Sequence, residues 1–265
     1  MTYRHLTCTR EGTVERVTLN RPEVRNALND ELIAELTHWA ARLREERGVR
    51  AAVLSGAGTA FSAGADVAWM AQSIEYAEAE NLRSAEALAR MFLALDTLPL
   101  LLIGRVHGAA IGGGAGLASV CDVVVAEEHA TFGFTEVKLG IVPAVISPFV
   151  LAKIGRSAAR ELFLTGARFT ATRACAIGLV HRVVSTAALD EAVAGYLAES
   201  ATAGPEAVAV AKSLIREVWD RPLQQAIASA AHAIAERRVS GEGQEGLRAF
   251  LERRQPHWAV GADKA

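Results

Sequence analysis

Three consecutive glycines, Gly112, Gly113 and Gly114, constrain the fold of this chain more than any other feature of its sequence. An apolar stretch at residues 100–106 precedes them, and a segment of small residues follows them. Adjacent glycines weaken the interior of a helix or strand, so they predict a turn that joins a strand to the start of a helix. Backbone N–H groups at a helix N-terminus have no intrahelical partners, and glycine leaves them open to a ligand oxygen. We therefore predict that this turn binds an anionic oxygen.

The glycine run does not match two common phosphate-binding patterns. A dinucleotide pattern, Gly-x-Gly-x-x-Gly, that starts at Gly112 would need a glycine where Leu117 stands. A phosphate loop would need Lys and then Ser or Thr after Gly113, where Gly114 and Ala115 stand. Both patterns are therefore excluded. A purely structural role, in which the glycines let a helix pack closely on a sheet, stays open at this point.

The size and charge of the chain restrict its function further. Its 265 residues allow one large domain or two small ones, and 51% of them are hydrophobic. No uninterrupted apolar run reaches the roughly 18 residues of a membrane span, so we predict no membrane partner. The net charge is −2, with acidic and basic residues interspersed, and this pattern argues against a nucleic-acid partner.

The N-terminus and the cysteines bear on the compartment. Residues 1–5 lack the hydrophobic core of a signal peptide, so we expect no secretory segment. Cys8, Cys121 and Cys175 are odd in number, far apart and without metal-ligand spacing. We interpret them as small buried hydrophobic residues in a reducing compartment, and we predict a cytoplasmic location.

Hydrophobic periodicity predicts strands that alternate with helices. The predicted strands lie at residues 14–19, 49–54, 100–106, 122–126, 131–134 and 180–184. The predicted helices begin at Asn29 or Asp30 and at residue 78, and shorter ones lie at 159–164 and 172–177. This order is typical of an α/β fold with mostly parallel pairing. Helical patterns replace strands after Ala187, so we predict a core at residues 1–195 and a C-terminal helical oligomerisation region at 196–265.

A second glycine-rich turn, at residues 55–66, repeats the order of strand, small residues and helix start. Asp66 at its end is a suitable cap for the helix that follows. If the backbone N–H groups of Ala65 and Gly113 converge, they form an oxyanion hole for a carbonyl oxygen that becomes an enolate. Such a site also needs a group that moves the proton.

Glu136 is the candidate for that proton transfer. It follows a predicted strand and stands among the apolar residues Phe132, Phe134, Val137 and Ile141. Apolar surroundings raise the pKa of a carboxyl group toward the range that suits general acid–base catalysis. A solvated loop acid or a helix-capping charge is the alternative interpretation, and the residues alone leave both open.

Several segments together resemble the enoyl-CoA hydratase/isomerase (crotonase) superfamily. They are residues 61–67, residues 108–117 with Cys121 and Asp122, and residues 132–143. The similarity extends over nearly the whole chain, from residues 20–28 to residues 245–254. It implies a crotonase-like spiral of ββα units, a C-terminal helical trimerisation region, a homotrimer or a hexamer, and an acyl-CoA thioester as substrate. It implies neither a metal nor a redox cofactor.

The resemblance also implies roles for individual residues. Ala65 and Gly113 match the two oxyanion donors, and Glu136 matches a catalytic glutamate of the hydratases. Arg25 stands where the family often has a basic residue near the CoA nucleotide. The residues expected to contact the substrate or its CoA are Arg25, Ala27, Ala63, Ala65, Asp66, Val67, Gly113 and Gly116.

Position 116 departs from the pattern of many hydratases. Those enzymes often have two glutamates, and the first of them would stand at Gly116. With one acid, Glu136 has to take a proton from water and return one to Cα, or a bound water has to help. The sequence looks most like the bacterial methylglutaconyl-CoA hydratase-like members, and this resemblance implies hydration of a branched or glutaconyl-type enoyl-CoA despite the glycine.

Three functions are compatible with these expectations. The first is an enoyl-CoA hydratase, a lyase that adds water across the 2,3 double bond of an acyl-CoA in fatty acid metabolism or leucine degradation. The second is a Δ3-Δ2 enoyl-CoA isomerase, in which the single Glu136 moves a proton between two carbons. The third is a catalytically silent binder of acyl-CoA.

Overall fold

The computed structural model describes residues 3–259. The strands in this part of the chain are β1 (Leu6–Glu11), β2 (Val14–Leu19), β3 (Ala51–Gly56), β4 (Leu101–Val106), β5 (Ala109–Ile111), β6 (Val123–Glu127), β7 (Thr131–Gly133), β8 (Arg168–Thr170) and β9 (Arg182–Val184). The α-helices in it are α1 (Asp30–Glu45), α2 (Val67–Ile74), α3 (Glu78–Asp96), α4 (Gly113–Val120), α5 (Ser147–Thr165), α6 (Ala171–Ala176), α7 (Leu189–Thr202), α8 (Pro205–Trp219), α9 (Leu223–Val239) and α10 (Gly241–Leu251).

Six strands form the main sheet, in the order β1-β2-β3-β4-β6-β9. β1 and β2 are antiparallel, and the other pairs in this sheet are parallel. The central strands are apolar, and residues 51–54 of β3 are all buried. Strands of this kind belong in a sheet that is covered on both faces. The prediction of an α/β fold with mostly parallel pairing is confirmed.

A second sheet has three strands in the order β5-β7-β8. The chain visits the two sheets in turn, because β4 leads to β5 and then α4, and β6 leads to β7 and later α5. β3 leads in the same way to Ser62, which forms a single parallel bridge with Ala110 of β5, and then to α2. The chain therefore forms the predicted spiral of ββα units.

The first long helix shows how local sequence places an element on the core. The side chain of Asn29 accepts a hydrogen bond from the Leu32 N–H at 3.0 Å, which satisfies one of the free donors at the start of α1. Leu36, Trp39 and Leu43 follow at helical spacing and are buried in the main core. The helix predicted from these two signals is confirmed.

Helix α7 covers the other face of the main sheet. Leu189 and Val193 pack there with Val53 of β3 and Ile103 of β4. The predicted domain boundary at 195/196 falls inside this helix, and the next break between helices lies at residues 203–204. The described residues that follow form α8, α9 and α10. In the range 3–259, no helix is long and apolar enough to cross a membrane.

Some structural features were not expected. The sequence analysis does not predict β1, β5 or β8, and the last two have only three residues each, so local periodicity is too short to mark them. The interpretation of Cys175 as a buried residue is wrong, because its side chain is exposed. Cys121 is buried as predicted, and Cys8 is half-buried.

Candidate active site

The N–H group of Ala65 points away from the segment that pairs with it. Leu28 and Ala65 form a parallel bridge. In this bridge, the Leu28 N–H donates to the Gly64 carbonyl at 2.7 Å, and the Asp66 N–H donates to the Leu28 carbonyl at 2.9 Å. Because successive peptide groups in an extended segment point to opposite sides, the Ala65 N–H faces away from Leu28. It has no hydrogen-bond acceptor among residues 3–259.

The second free N–H group belongs to Gly113, the first residue of α4. It has no acceptor in the described part of the chain, as expected in the first turn of a helix. Gly112 before it has a φ of 53°, a left-handed value that glycine adopts at little cost. The Gly112 N–H donates to the Gly133 carbonyl at 2.8 Å and so attaches the turn to β7.

The two glycine-rich turns contact each other. The Ile111 N–H of β5 donates to the Ser62 carbonyl at 3.0 Å. A Cβ on Gly64 would lie 2.7 Å from the Ile111 carbonyl oxygen and 3.6 Å from the Gly113 nitrogen, so only glycine permits this approach. The free amides of Ala65 and Gly113 therefore lie in one site, and two such donors are what an oxyanion hole requires.

Asp66 holds the loop that contains Ala65. Its side chain accepts hydrogen bonds from the N–H groups of Ala68 at 2.8 Å and Trp69 at 3.4 Å, so it caps α2 as predicted. It also forms an ion pair with Arg21 at 2.8 Å, and both side chains are largely buried. Burial acts to raise the pKa of this carboxyl, but the guanidinium and the two N–H donors outweigh burial, so the pKa of Asp66 is lowered.

Glu136 begins a 3₁₀-helix, Glu136–Leu139, shortly after β7. Its Oε2 atom is buried and has no hydrogen-bond partner among the residues that the structure describes. A Cβ on Gly112 would lie 3.1 Å from Oε1 of Glu136, so the carboxyl group lies against the residue that precedes the Gly113 amide. Burial raises the pKa of Glu136, in the direction predicted from its apolar neighbours. This carboxyl group is suited to proton transfer beside the two amides.

The amides and the carboxyl group open into a cavity of roughly 790 Å³. The predicted site residues that line it are Arg25, Ala27, Ala63, Ala65, Asp66, Val67, Gly113 and Glu136. Much of the remaining wall is apolar, with Val24, Met70, Ile111, Leu139 and Ile141. A mostly apolar cavity with a few convergent polar groups is the usual form of a small-molecule site.

Gly116 is the predicted site residue that the structure places elsewhere. It is buried in α4 and is not part of the cavity wall. A Cβ on Gly116 would clash with Ile146 and lie 2.9 Å from Cζ of Phe92. Gly116 therefore does not line the cavity in which the other predicted site residues meet. Apolar side chains fill the space where a second glutamate would begin.

Sequence reasoning missed several residues of the cavity. Gly112 allows Glu136 to lie close to the turn, and Gly64 allows the Ile111 carbonyl to lie close to the backbone. The glycine-rich turns that contain them could have indicated both positions. Arg168 comes from β8, where a lone basic residue in a short segment gives no local signal. Within the described residues, no group of three or more His, Cys, Asp or Glu side chains is placed to hold a metal ion.

Comparison with known proteins agrees with this geometry. The family model for enoyl-CoA hydratase/isomerase matches residues 9–261. The chain belongs to the enoyl-CoA hydratase/isomerase family. A family member of Thermus thermophilus, provisionally named enoyl-CoA hydratase, is 41% identical over 249 residues, which cover 94% of this chain and 98% of the relative.

Two further proteins of the enoyl-CoA hydratase/isomerase family are similar to this chain, one in sequence and one in both sequence and structure. The 2,3-dehydroadipyl-CoA hydratase of Escherichia coli is 32% identical over 252 residues, 95% of this chain and 97% of the relative. The crystal structure of an enoyl-CoA hydratase from Shewanella pealeana superimposes with a TM-score of 0.93 at 36% identity and covers 96% of each chain. The fold is thus the crotonase fold, and the chain is an enzyme of the hydratase/lyase class in a family that acts on acyl-CoA substrates.

Proposed function

We propose that this enzyme adds water across the 2,3 double bond of an enoyl-CoA, with Glu136 as the acid/base and the amides of Ala65 and Gly113 as the oxyanion donors. The observation that supports the proposal most is the buried, unpartnered Oε2 of Glu136 beside these two free N–H groups. An oxyanion donor pair stabilises the enolate formed during addition, and loss of one donor typically costs about 3 kcal/mol in the transition state.

The proposed reaction uses one carboxylate for both proton transfers. Ionised Glu136 takes a proton from water while the water oxygen bonds to C3 of the substrate. The electron pair of the double bond moves toward the thioester oxygen, where the N–H groups of Ala65 and Gly113 stabilise the enolate. Glu136 then donates its proton to C2, and the enolate returns to a thioester. Both new bonds form on one face because one side chain serves both steps.

The finer substrate proposal is a branched or glutaconyl-type enoyl-CoA. The E. coli relative is named for 2,3-dehydroadipyl-CoA, an acyl-CoA with a free terminal carboxylate, which supports a substrate of this kind. Arg25, Ala27, Ala63, Asp66 and Val67 line the side of the cavity formed by residues 23–28 and 63–67, where we place the CoA.

The assembly and surroundings of the enzyme are part of the proposal. We place a homotrimer or hexamer in the cytoplasm, with residues 196–265 as the oligomerisation region and without a metal or redox cofactor. Ile215, Trp219, Leu223, Ile227 and Phe250 are exposed on α8, α9 and α10, which supports burial of these helices against other subunits.

An isomerase is the second candidate. Phe92 and Ile146 fill the space beside Gly116, so Glu136 acts without a second glutamate at that position. A single base is sufficient to move a proton between C2 and C4 of a 3-enoyl-CoA. This reaction would create the conjugated thioester that hydration removes.

The absorbance of the conjugated thioester separates the candidates. We expect it to fall when the purified protein meets 3-methylglutaconyl-CoA or crotonyl-CoA, and Glu136→Gln to lower kcat by at least about 100-fold. Glu199→Gln, at an exposed position of α7, is the control and should leave kcat unchanged. A rise of this absorbance when the protein meets a 3-enoyl-CoA would favour the isomerase. Acyl-CoA binding without turnover of any of these compounds would leave the silent binder.

A further inference from the structure

Arg168 reaches the cavity through the register of the small sheet. Ile111 of β5 pairs with Gly133 of β7, and Gly133 pairs with Arg168 of β8. Directly opposed residues on neighbouring strands project from the same face of a sheet. The row therefore runs from Arg168 to Ile111, which lies directly before Gly112 and the Gly113 amide. Ile111 and Arg168 both line the cavity.

Three side chains converge over Gly133 in the middle of this row. A Cβ on Gly133 would lie 3.2 Å from Cγ2 of Thr135, 3.4 Å from Cγ of Arg168 and 3.5 Å from Cδ1 of Ile111. Opposed Cβ atoms are usually about 4.5–5.5 Å apart, so the Arg168 side chain leans from β8 over β7. Because Gly133 has no side chain, Arg168 packs over β7 on the side of Ile111, which directly precedes the turn with the Gly113 amide.

Arg168 is exposed to solvent on β8. Its guanidinium forms no ion pair or hydrogen bond within residues 3–259, whereas Arg173 in the following helix pairs with Glu161 at 2.7 Å. Of the three acids that line the cavity, Asp66 is paired with Arg21, and neither Glu23 nor Glu136 forms an ion pair with Arg168. An arginine presents several N–H donors in a planar arrangement that matches the two oxygens of a carboxylate. Arg168 is therefore available to a carboxylate of the ligand.

Arg25 and Arg168 lie at opposite edges of the layer that forms the site. The segment after Arg25 bridges the segment that contains Ala65, which bridges β5, and β5 pairs with β7 and β7 with β8. At the usual strand spacing, these five segments span roughly 19 Å. The oxyanion amides belong to the second segment and to the end of the third. β8 lies roughly 10 Å beyond the third segment.

We propose that Arg168 binds a free carboxylate at the far end of the acyl group of the substrate. This inference rests on the proposed function, which puts the thioester carbonyl at the two amides and the CoA on the side of Arg25. The acyl group then extends toward β8, from which the Arg168 side chain projects over β7 toward the acyl group. Arg168 is thus a specificity-determining residue that selects dicarboxylic over monocarboxylic acyl-CoA substrates.

The experiment measures binding of saturated ligands by isothermal titration calorimetry. Glutaryl-CoA is compared with pentanoyl-CoA, and adipyl-CoA with hexanoyl-CoA, so that each pair differs in the terminal carboxylate. We expect the intact enzyme to bind the dicarboxylic member of at least one pair about 10- to 100-fold more tightly, as a charge-assisted hydrogen bond predicts. Arg168→Met should abolish this preference and leave the affinity for the monocarboxylic ligand unchanged. Arg168→Lys should keep part of the preference.

Arg160→Met provides the matched control, because Arg160 is exposed on α5 and outside the cavity wall. Equal binding within both pairs by the intact enzyme, or a preference that survives Arg168→Met, would overturn the proposal. Equal weakening of both members of a pair would show a structural role and would also overturn it. Since saturated ligands need no turnover, a preference without any hydration activity would support Arg168 and reject only the proposed function.

Discussion

Three glycines and one glutamate determine the space in the site at the scale of single residues. Gly112 lets the carboxyl group of Glu136 approach the turn, and Gly64 lets the turn approach the Ile111 carbonyl. Gly116 has the opposite effect, because Ile146 and Phe92 pack into the space that a side chain at this position would need. Glycine therefore permits close approach within the site at two positions and permits core packing beside the site at a third.

Glu136→Gln is expected to raise the free energy of unfolding at pH 7. Burial raises the pKa of this carboxyl, so the folded state binds its proton more tightly than the unfolded state. The ionised side chain consequently destabilises the fold at neutral pH, and this cost disappears as the pH falls below the ordinary pKa of glutamate. Urea denaturation at pH 7 and pH 4 measures the gain, which should be larger at pH 7. The same gain at both pH values would contradict the assignment of a buried, ionisable carboxyl.

Gly116→Glu is expected to destabilise the enzyme without improving hydration. The new side chain would have to displace Ile146 and Phe92, and overpacking of this kind typically costs about 1–3 kcal/mol or more. Gly195→Glu on α7 is the matched control, since a Cβ there meets nothing within 4 Å. Thermal denaturation of both variants measures the difference. Unchanged stability of Gly116→Glu would show that the space beside Gly116 is open.

Short extended segments and helix starts hold the site together at the scale of elements. The Ala65 amide depends on a single bridge to Leu28, and the Gly113 amide depends on the start of α4. Asp66 fixes the first of these features, because it caps α2 directly after Ala65 and pairs with Arg21 in the segment after β2. A change at Asp66 should therefore act on the loop as a whole rather than on one contact.

Asp66→Asn is expected to lower the free energy of unfolding by about 1–3 kcal/mol at pH 7. The pKa of Asp66 is lowered in the folded state, so its carboxylate stabilises the fold above the ordinary pKa of aspartate. This contribution is lost as the pH falls through the lowered value, and the two proteins should then approach each other in stability. Guanidinium denaturation from pH 7 to pH 3 tests this. A difference that does not depend on pH would rule out the ionic contribution.

At the scale of the whole molecule, half-buried charges attach the C-terminal helices to the core. Lys212 of α8 forms an ion pair with Asp122 at 2.7 Å, and Asp122 also accepts a hydrogen bond from the Leu102 N–H of β4 at 2.8 Å. Arg50, directly before β3, donates to the carbonyl groups of Ala201 in α7 and of Trp258 near the C-terminus, and so contacts both segments. The helical region is therefore attached to the sheet of its own chain, and it also has exposed apolar side chains.

Lys212→Met is expected to lower the free energy of unfolding by about 1–3 kcal/mol, because it leaves a half-buried carboxylate without its cation. Hydrogen exchange of α8 should become faster, while exchange of α1 stays unchanged. Arg216→Met on the same helix is the control, since its ion pair with Asp96 is longer, at 3.9 Å, and more exposed. Exchange that accelerates equally in α1 and α8 would argue against a local attachment.

The strands and helices were predictable where the signal is local. The cap at Asn29, the spacing of the apolar residues after it and the glycine run before α4 each act within a few residues. β8 was not predictable, because three residues form a strand only when β7 offers them a partner. For the same reason Gly116 was expected at the substrate, since its true neighbours, Phe92 and Ile146, come from distant parts of the sequence.

The sequence by itself determined the alternation of strands and helices, the two glycine-rich turns and the single acid between apolar residues, because backbone freedom and hydrophobic spacing are local properties. Tertiary structure alone decided that the amides of Ala65 and Gly113 face one cavity, that Gly116 is sealed and that Arg168 lines the wall. Those outcomes depend on bridges and strand register between segments that are far apart in the chain, and no local pattern specifies them.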